Sequence, residues 1–134
     1  VREWNEKGLY RRLRQVANIV ADYARRPLDL AGRLGGEEFA VFLYDTNRAA
    51  ALSRAEDLRE AVKSLHMPGK VRITCSIGVA TATPLDAITM EGMVGQADVA
   101  LYRAKHDQRD CVREWAESKN KPTLQLVSSP GPSG

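Results

Sequence analysis

The chain has 134 residues, 43% hydrophobic and 28% charged, with a formal net charge of +3. That profile fits one globular domain with a core of its own. It holds no run of Lys and Arg interleaved with aromatics to mark a nucleic-acid surface, no apolar stretch long enough for a membrane span, and no apolar segment of a signal peptide at its start. The cytosol is the expected location, with neither nucleic acid nor membrane as partner.

In chain order, residues 1–8 form a separate segment. Leu9, Leu13, Val16, Ala17, Val20 and Ala24 then recur at helical offsets and predict an amphipathic helix over 9–24. Pro27 ends it, because proline disfavours helical geometry in the residue before it. A short strand is expected over 29–34. The almost wholly apolar stretch 39–44 reads as a central strand covered on both faces. Asp45 and Thr46 are N-cap candidates for a second helix reaching Leu65, striped by Ala51, Leu52, Ala55, Leu58, Val62 and Leu65.

After the Met67-Pro68-Gly69 break, Val71, Ile73, Cys75, Ile77 and Val79 alternate with Arg72, Thr74, Ser76 and Gly78, which predicts a half-buried strand. A third helix is expected over 89–106 and a last strand over 111–115. Residues 9–116 therefore make the domain, and 117–134, ending SSPGPSG, read as a disordered tail. The tetrapeptide VREW occurs at 1–4 and again at 112–115 with no longer repeat around it. Helix, strand, strand, helix, strand, helix, strand is an α+β order, with helices packed on a sheet.

Cys75 and Cys111 lack metal-ligand spacing and read as buried reduced thiols, and His66 and His106 are isolated. The chemistry concentrates instead in RLGGEEFAVFL, residues 33–43. Strands 29–34 and 39–44 should form an antiparallel hairpin whose tip is Gly35-Gly36-Glu37-Glu38. Two glycines let a ligand approach the backbone, whose turn amides attract anions. Two adjacent carboxylates attract a hard divalent cation. A wet hairpin uses the same residues, so the tip alone leaves both readings open.

RLGGEEF followed by AVFL resembles the signature of the GGDEF family of diguanylate cyclases in its GGEEF form. RRPLDLAGRLGGEEF is similar to the stretch before that signature, ITCSIGVA to the family's T-x-S-I-G-V-A strand, and ADVALYRAKHDQRD to its AD-x-ALY-x-AK-x-x-GRN helix and exit. The likeness spans residues 9–113. It implies a sheet of the nucleotidyl-cyclase and polymerase-palm type. The implied enzyme is cytoplasmic and homodimeric, and condenses two GTP into cyclic di-GMP and two pyrophosphates with Mg²⁺ or Mn²⁺.

Carried over by motif, Gly35 and Gly36 lie against GTP. Glu37 binds metal and serves as general base, and Glu38 helps hold metal. Lys105 and Arg109 contact phosphates; they also suit solvated cations at a helix C-terminus. Arg26 and Asp29 match the family's RxxD inhibitory site for cyclic di-GMP, and Arg-Pro-x-Asp equally suits a helix-to-strand turn.

Two departures accompany the likeness. The family's first strand and guanine-gripping segment have no counterpart: Asn5 and Glu6 stand where Gly-His is expected, Leu9 and Tyr10 where Gly-Asp is expected. The domain thus reads as N-terminally truncated. At the exit, Gln108 replaces Gly, which disfavours a left-handed turn, and Asp110 replaces Asn, which sets a carboxylate beside Arg109. Besides the cyclase, a non-catalytic cyclic di-GMP-binding module and a structural remnant that completes its sheet with another chain fit the sequence.

Overall fold

The computed structural model describes the backbone of residues 2–35, 37–66, 69 and 72–116, and side chains from Tyr10 onward. The expected tail over 117–134 lies outside the described residues. Helix α1 spans Arg2–Asp22 and so begins before the expected Leu9. Strands β1, Leu30–Gly35, and β2, Glu38–Phe42, follow it. Helix α2 covers Arg48–Lys63, β3 Ile77–Val79, α3 Met90–His106 and β4 Val112–Glu114. A short 3₁₀ turn over Pro84–Asp86 precedes α3.

Strands β1 and β2 pair antiparallel, Leu30 opposite Phe42 and Gly32 opposite Ala40, as expected of two strands joined by a glycine-bearing tip. The register shifts between Arg33 and Gly35, so that Gly35 faces Glu38. Gly35 has φ of +148°, a backbone region L side chains rarely adopt, while the space around it is open. Conformation rather than crowding requires glycine there.

Strands β3 and β4 pair parallel, with Ile77 opposite Val112. The described strands therefore form two separate two-stranded ladders, not one continuous sheet. The strand expected over 71–79 joins its ladder only from Ile77 onward; residues 72–76 carry no ladder pairing. Strand β1 is exposed along its whole length, with Leu30 and Leu34 both more than half accessible. The both-faces cover expected of the second strand is only partial: β2 is half-buried after its exposed first residue.

The core lies where helices meet these ladders. Helix α3 packs on β3 and β4, α2 packs on the same two strands and on α1, and α1 reaches the hairpin. Val20, Ala55, Val62, Ala100 and Ala104 are its buried apolar residues. Gly78 sets the helix–strand distance: a Cβ there would meet Ala97 O at 2.1 Å and Leu101 N at 2.3 Å. No side chain fits between β3 and α3 at that point.

Helix α2 starts differently from expectation. Its N-cap is Asn47, whose Oδ1 accepts from Ala50 N at 2.8 Å. Thr46 cannot serve because its Oγ1 is committed to Arg26 and Tyr44, and Asp45 sits in a left-handed conformation with φ of 51°. Thr89 caps α3, its Oγ1 accepting from Gly92 N at 3.0 Å.

Candidate functional site

The hairpin turn leaves Glu37 and Glu38 exposed. Glu38 opens β2, and its Oε2 lies 3.8 Å from the Nζ of Lys105, on the last turn of α3. The loop tip and one of the two predicted phosphate-binding cations, 67 positions apart in the chain, thus converge. Both side chains remain partly accessible, 48% for Glu38 and 32% for Lys105. Such an exposed pair adds at most about 1 kcal/mol of stability and is free to exchange partners. Gly36 lies outside the described residues.

Arg109 stands on the turn after α3. Its N–H donates to Ala104 O at 3.0 Å, its guanidinium is exposed, and it forms no ion pair with the tip among the described residues. Gln108 adopts the left-handed conformation despite its side chain (φ 78°), and Arg109 and Asp110 follow it there. The Asp110 carboxylate, expected beside Arg109, is held by two cations of α2. Its Oδ1 accepts from Arg59 Nη1 at 2.8 Å and its Oδ2 pairs with Lys63 Nζ at 3.0 Å. Lys63, then Arg59, hold this carboxyl below the ordinary range. Sequence reasoning did not find Arg59 or Lys63, because only folding brings α2 to the exit of α3.

Arg26 and Asp29 form a closed clip. Arg26 Nε donates to Asp29 Oδ2 at 3.0 Å and Nη2 to Oδ1 at 3.1 Å. The same Nη2 donates to Tyr44 O and Thr46 Oγ1, both at 2.7 Å. Asp29 Oδ1 also accepts from Tyr44 N at 3.0 Å. The Asp29 side chain is 0% accessible while that of Arg26 is 47%. Arg26 foremost holds the Asp29 carboxyl below the ordinary range. Only the arginine is accessible; the aspartate orients it and ties the α1–β1 connection to Tyr44, just beyond β2.

The cysteines are unpaired, and burial pushes the Cys75 thiol up to about 11. That makes it a packing residue rather than a nucleophile. The described residues contain no group of three or more His, Cys, Asp and Glu placed to hold a metal. They contain no helix long and apolar enough to cross a membrane.

Residues 11–111 match the family model "Diguanylate cyclase, GGDEF domain". The chain belongs to the GGDEF family. This GGDEF domain is 40% identical over 103 residues to diguanylate cyclase A of Treponema denticola, covering 75% of the chain and 27% of that relative. Over 84 residues it is 43% identical to diguanylate cyclase DgcM of Escherichia coli, covering 63% and 20%. The chain thus spans between a fifth and about a quarter of the length of these curated relatives.

In three dimensions the domain is similar to the GGDEF domain of DgcB from Caulobacter crescentus solved in complex with c-di-GMP. The TM-score is 0.71 at 27% identity, with 80% of this chain and 62% of that one covered. The active GGEEF domain of a Vibrio cholerae diguanylate cyclase shares the fold at TM-score 0.72 and 24% identity, with 81% and 69% covered.

Proposed function

We propose that this domain condenses two molecules of GTP into cyclic di-GMP and releases two pyrophosphates. The observation that carries the reading is the approach of the Glu38 carboxylate to Lys105 at the mouth of a glycine-bearing hairpin. A polyphosphate needs cations, a metal needs carboxylates, and the fold sets both in one place. Two adjacent exposed carboxylates fit Mg²⁺ or Mn²⁺, which binds through one or two carboxylates and completes its shell with phosphate oxygens and water. Bound there, the ion would neutralise charge developing on the α-phosphate.

The chain's own residues divide the remaining work. Gly35 and Gly36 let the nucleotide lie against the backbone. Lys105 and Arg109 bind the outer phosphates and orient pyrophosphate as leaving group. Glu37 accepts the proton of the attacking 3′-hydroxyl of a second GTP, held by a second copy of the domain. The homodimer follows from that stoichiometry, since each domain offers one such hairpin. GTP as substrate, and cysteines that are unpaired, suit the cytosol.

Incubating the chain with GTP and Mg²⁺ or Mn²⁺ is expected to yield the cyclic dinucleotide and two pyrophosphates per turnover. Absence of dinucleotide at every metal and protein concentration overturns the catalytic reading.

A second reading, binding of cyclic di-GMP without turnover, is supported by the partly accessible side chain of Arg26, 47% exposed. Arg26 would take phosphate or a guanine edge, with Asp29 acting through it. Titration with cyclic di-GMP tests this: unchanged affinity in Arg26→Ala removes the motif from the site.

A further inference from the structure

Gln108, Arg109 and Asp110 take φ values of 78°, 58° and 47° in succession. L residues enter the left-handed region as single residues, because Cβ crowds the following carbonyl oxygen. Three non-glycine residues in a row need contacts that fix them, and strain of this kind gathers at ligand clamps. Here the contacts are on both sides of the turn. Arg109 N donates to Ala104 O at 3.0 Å, and Asp110 N donates to Ser76 Oγ at 3.1 Å. The Asp110 carboxylate is gripped by Arg59 and Lys63 from α2.

Arg59 is itself fixed. Its Nε donates to Glu56 Oε1 at 2.7 Å, its Nη2 lies 3.3 Å from Glu60 Oε2, and its side chain is only 14% accessible. A rigid guanidinium on α2 thus pins the last residue of the turn. The middle residue, Arg109, is left displaying its cation to solvent. The turn directly follows the helix whose Lys105 meets Glu38.

We propose that Arg59 is a positioning residue for nucleotide binding: through Asp110 it holds residues 108–110 in the left-handed turn that aims Arg109 at the phosphates. The inference rests on the reading of Arg109 as a phosphate contact. Without the Arg59 grip the turn relaxes toward right-handed geometry and the Arg109 guanidinium leaves its direction. Arg59 touches no substrate; its effect on ligand runs through residue 109 alone.

A double-mutant cycle on GTP affinity, measured calorimetrically with Mg²⁺ on the full chain, tests this. Arg109→Ala is expected to weaken GTP about tenfold or more, the loss of a hydrogen bond to a charged group. Arg59→Met is expected to weaken it several-fold in the parent chain and not at all in the Arg109→Ala background. An Arg59→Met effect of equal size in both backgrounds, or no effect in the parent, overturns the inference and leaves Arg109 as a phosphate contact. No effect of Arg109→Ala itself removes that reading and the inference together. Should Arg59→Met fail to fold, Lys63→Met removes the other Asp110 partner, and the same vanishing of its effect beside Arg109→Ala is required.

Discussion

The Arg26–Asp29 clip and the hairpin tip hold the same chemical groups, guanidinium or ammonium against carboxylate, in opposite states. At the clip the carboxylate is wholly buried, and its oxygens accept from Arg26 side-chain and backbone groups and from Tyr44 N. At the tip the carboxylates are exposed, and the Glu38–Lys105 ion pair is long, 3.8 Å. A carboxylate saturated by protein groups stabilises the fold and offers little to a ligand. One that is left open costs nothing to redirect toward a metal. The difference separates a carboxylate committed to the fold from carboxylates open to solvent.

The largest expected effect sharpens the open side. Glu37→Gln is expected to reduce cyclic di-GMP formation by roughly 10²–10⁴-fold, the range for loss of a general base. Because the side chain is exposed, stability should stay within about 0.5 kcal/mol of the parent in urea unfolding. A large loss of stability would place Glu37 with the clip rather than with the tip.

Asp29→Ala should do the reverse. It leaves Tyr44 N–H and the inner face of Arg26 without their acceptor, at a cost of about 2–3 kcal/mol of stability. The pH dependence has a definite sign. Arg26 lowers the Asp29 carboxyl in the folded chain, so its contribution is complete above the unfolded value of about 3.9 and is lost as pH falls through the lower folded value. Asp29→Asn should therefore flatten the acid limb of a stability–pH curve below about pH 4. An unchanged limb would detach the clip from folding.

A smaller effect belongs to the strained turn. Gln108→Gly relieves a left-handed penalty of roughly 1–2 kcal/mol and adds about 0.4–1 kcal/mol of unfolded-state entropy, leaving a net gain of about 0.5–1 kcal/mol. Thermal or urea unfolding measures it. A net loss would mean that the Gln108 side chain is held by contacts stronger than its strain.

Much of this domain is legible in its sequence. The periodic apolar stripes mark α1, α2 and α3, and the paired glycines between two strand-like stretches mark the hairpin. The likeness of RLGGEEF, ITCSIGVA and ADVALYRAKHDQRD to one family points to the tip, and the structure sets Glu38 beside Lys105 there.

What escapes the sequence is set by long-range geometry. Alternation over 71–79 shows that a strand is possible, but a ladder needs a neighbour, and among the described residues there only 77–79 have one. Asp45, Thr46 and Asn47 are all good caps by type. Arg26, arriving from 20 residues upstream of Thr46, decides among them. The exposure of a carboxylate depends on what folds over it, so Asp29 and Glu37 look equally available in one dimension. The Asp110 carboxylate looks like a neighbour of Arg109 along the chain, whereas α2 takes it.

The tip carboxylates and Lys105 are read as one site. Binding of Mn²⁺ without nucleotide, followed by its electron paramagnetic resonance signal, tests this directly in the parent chain and in Lys105→Met. Removing an ammonium 3.8 Å from Glu38 is expected to tighten Mn²⁺ binding by up to about fivefold, the equivalent of an exposed pair worth about 1 kcal/mol. Equal Mn²⁺ affinity in the two proteins would contradict a shared site.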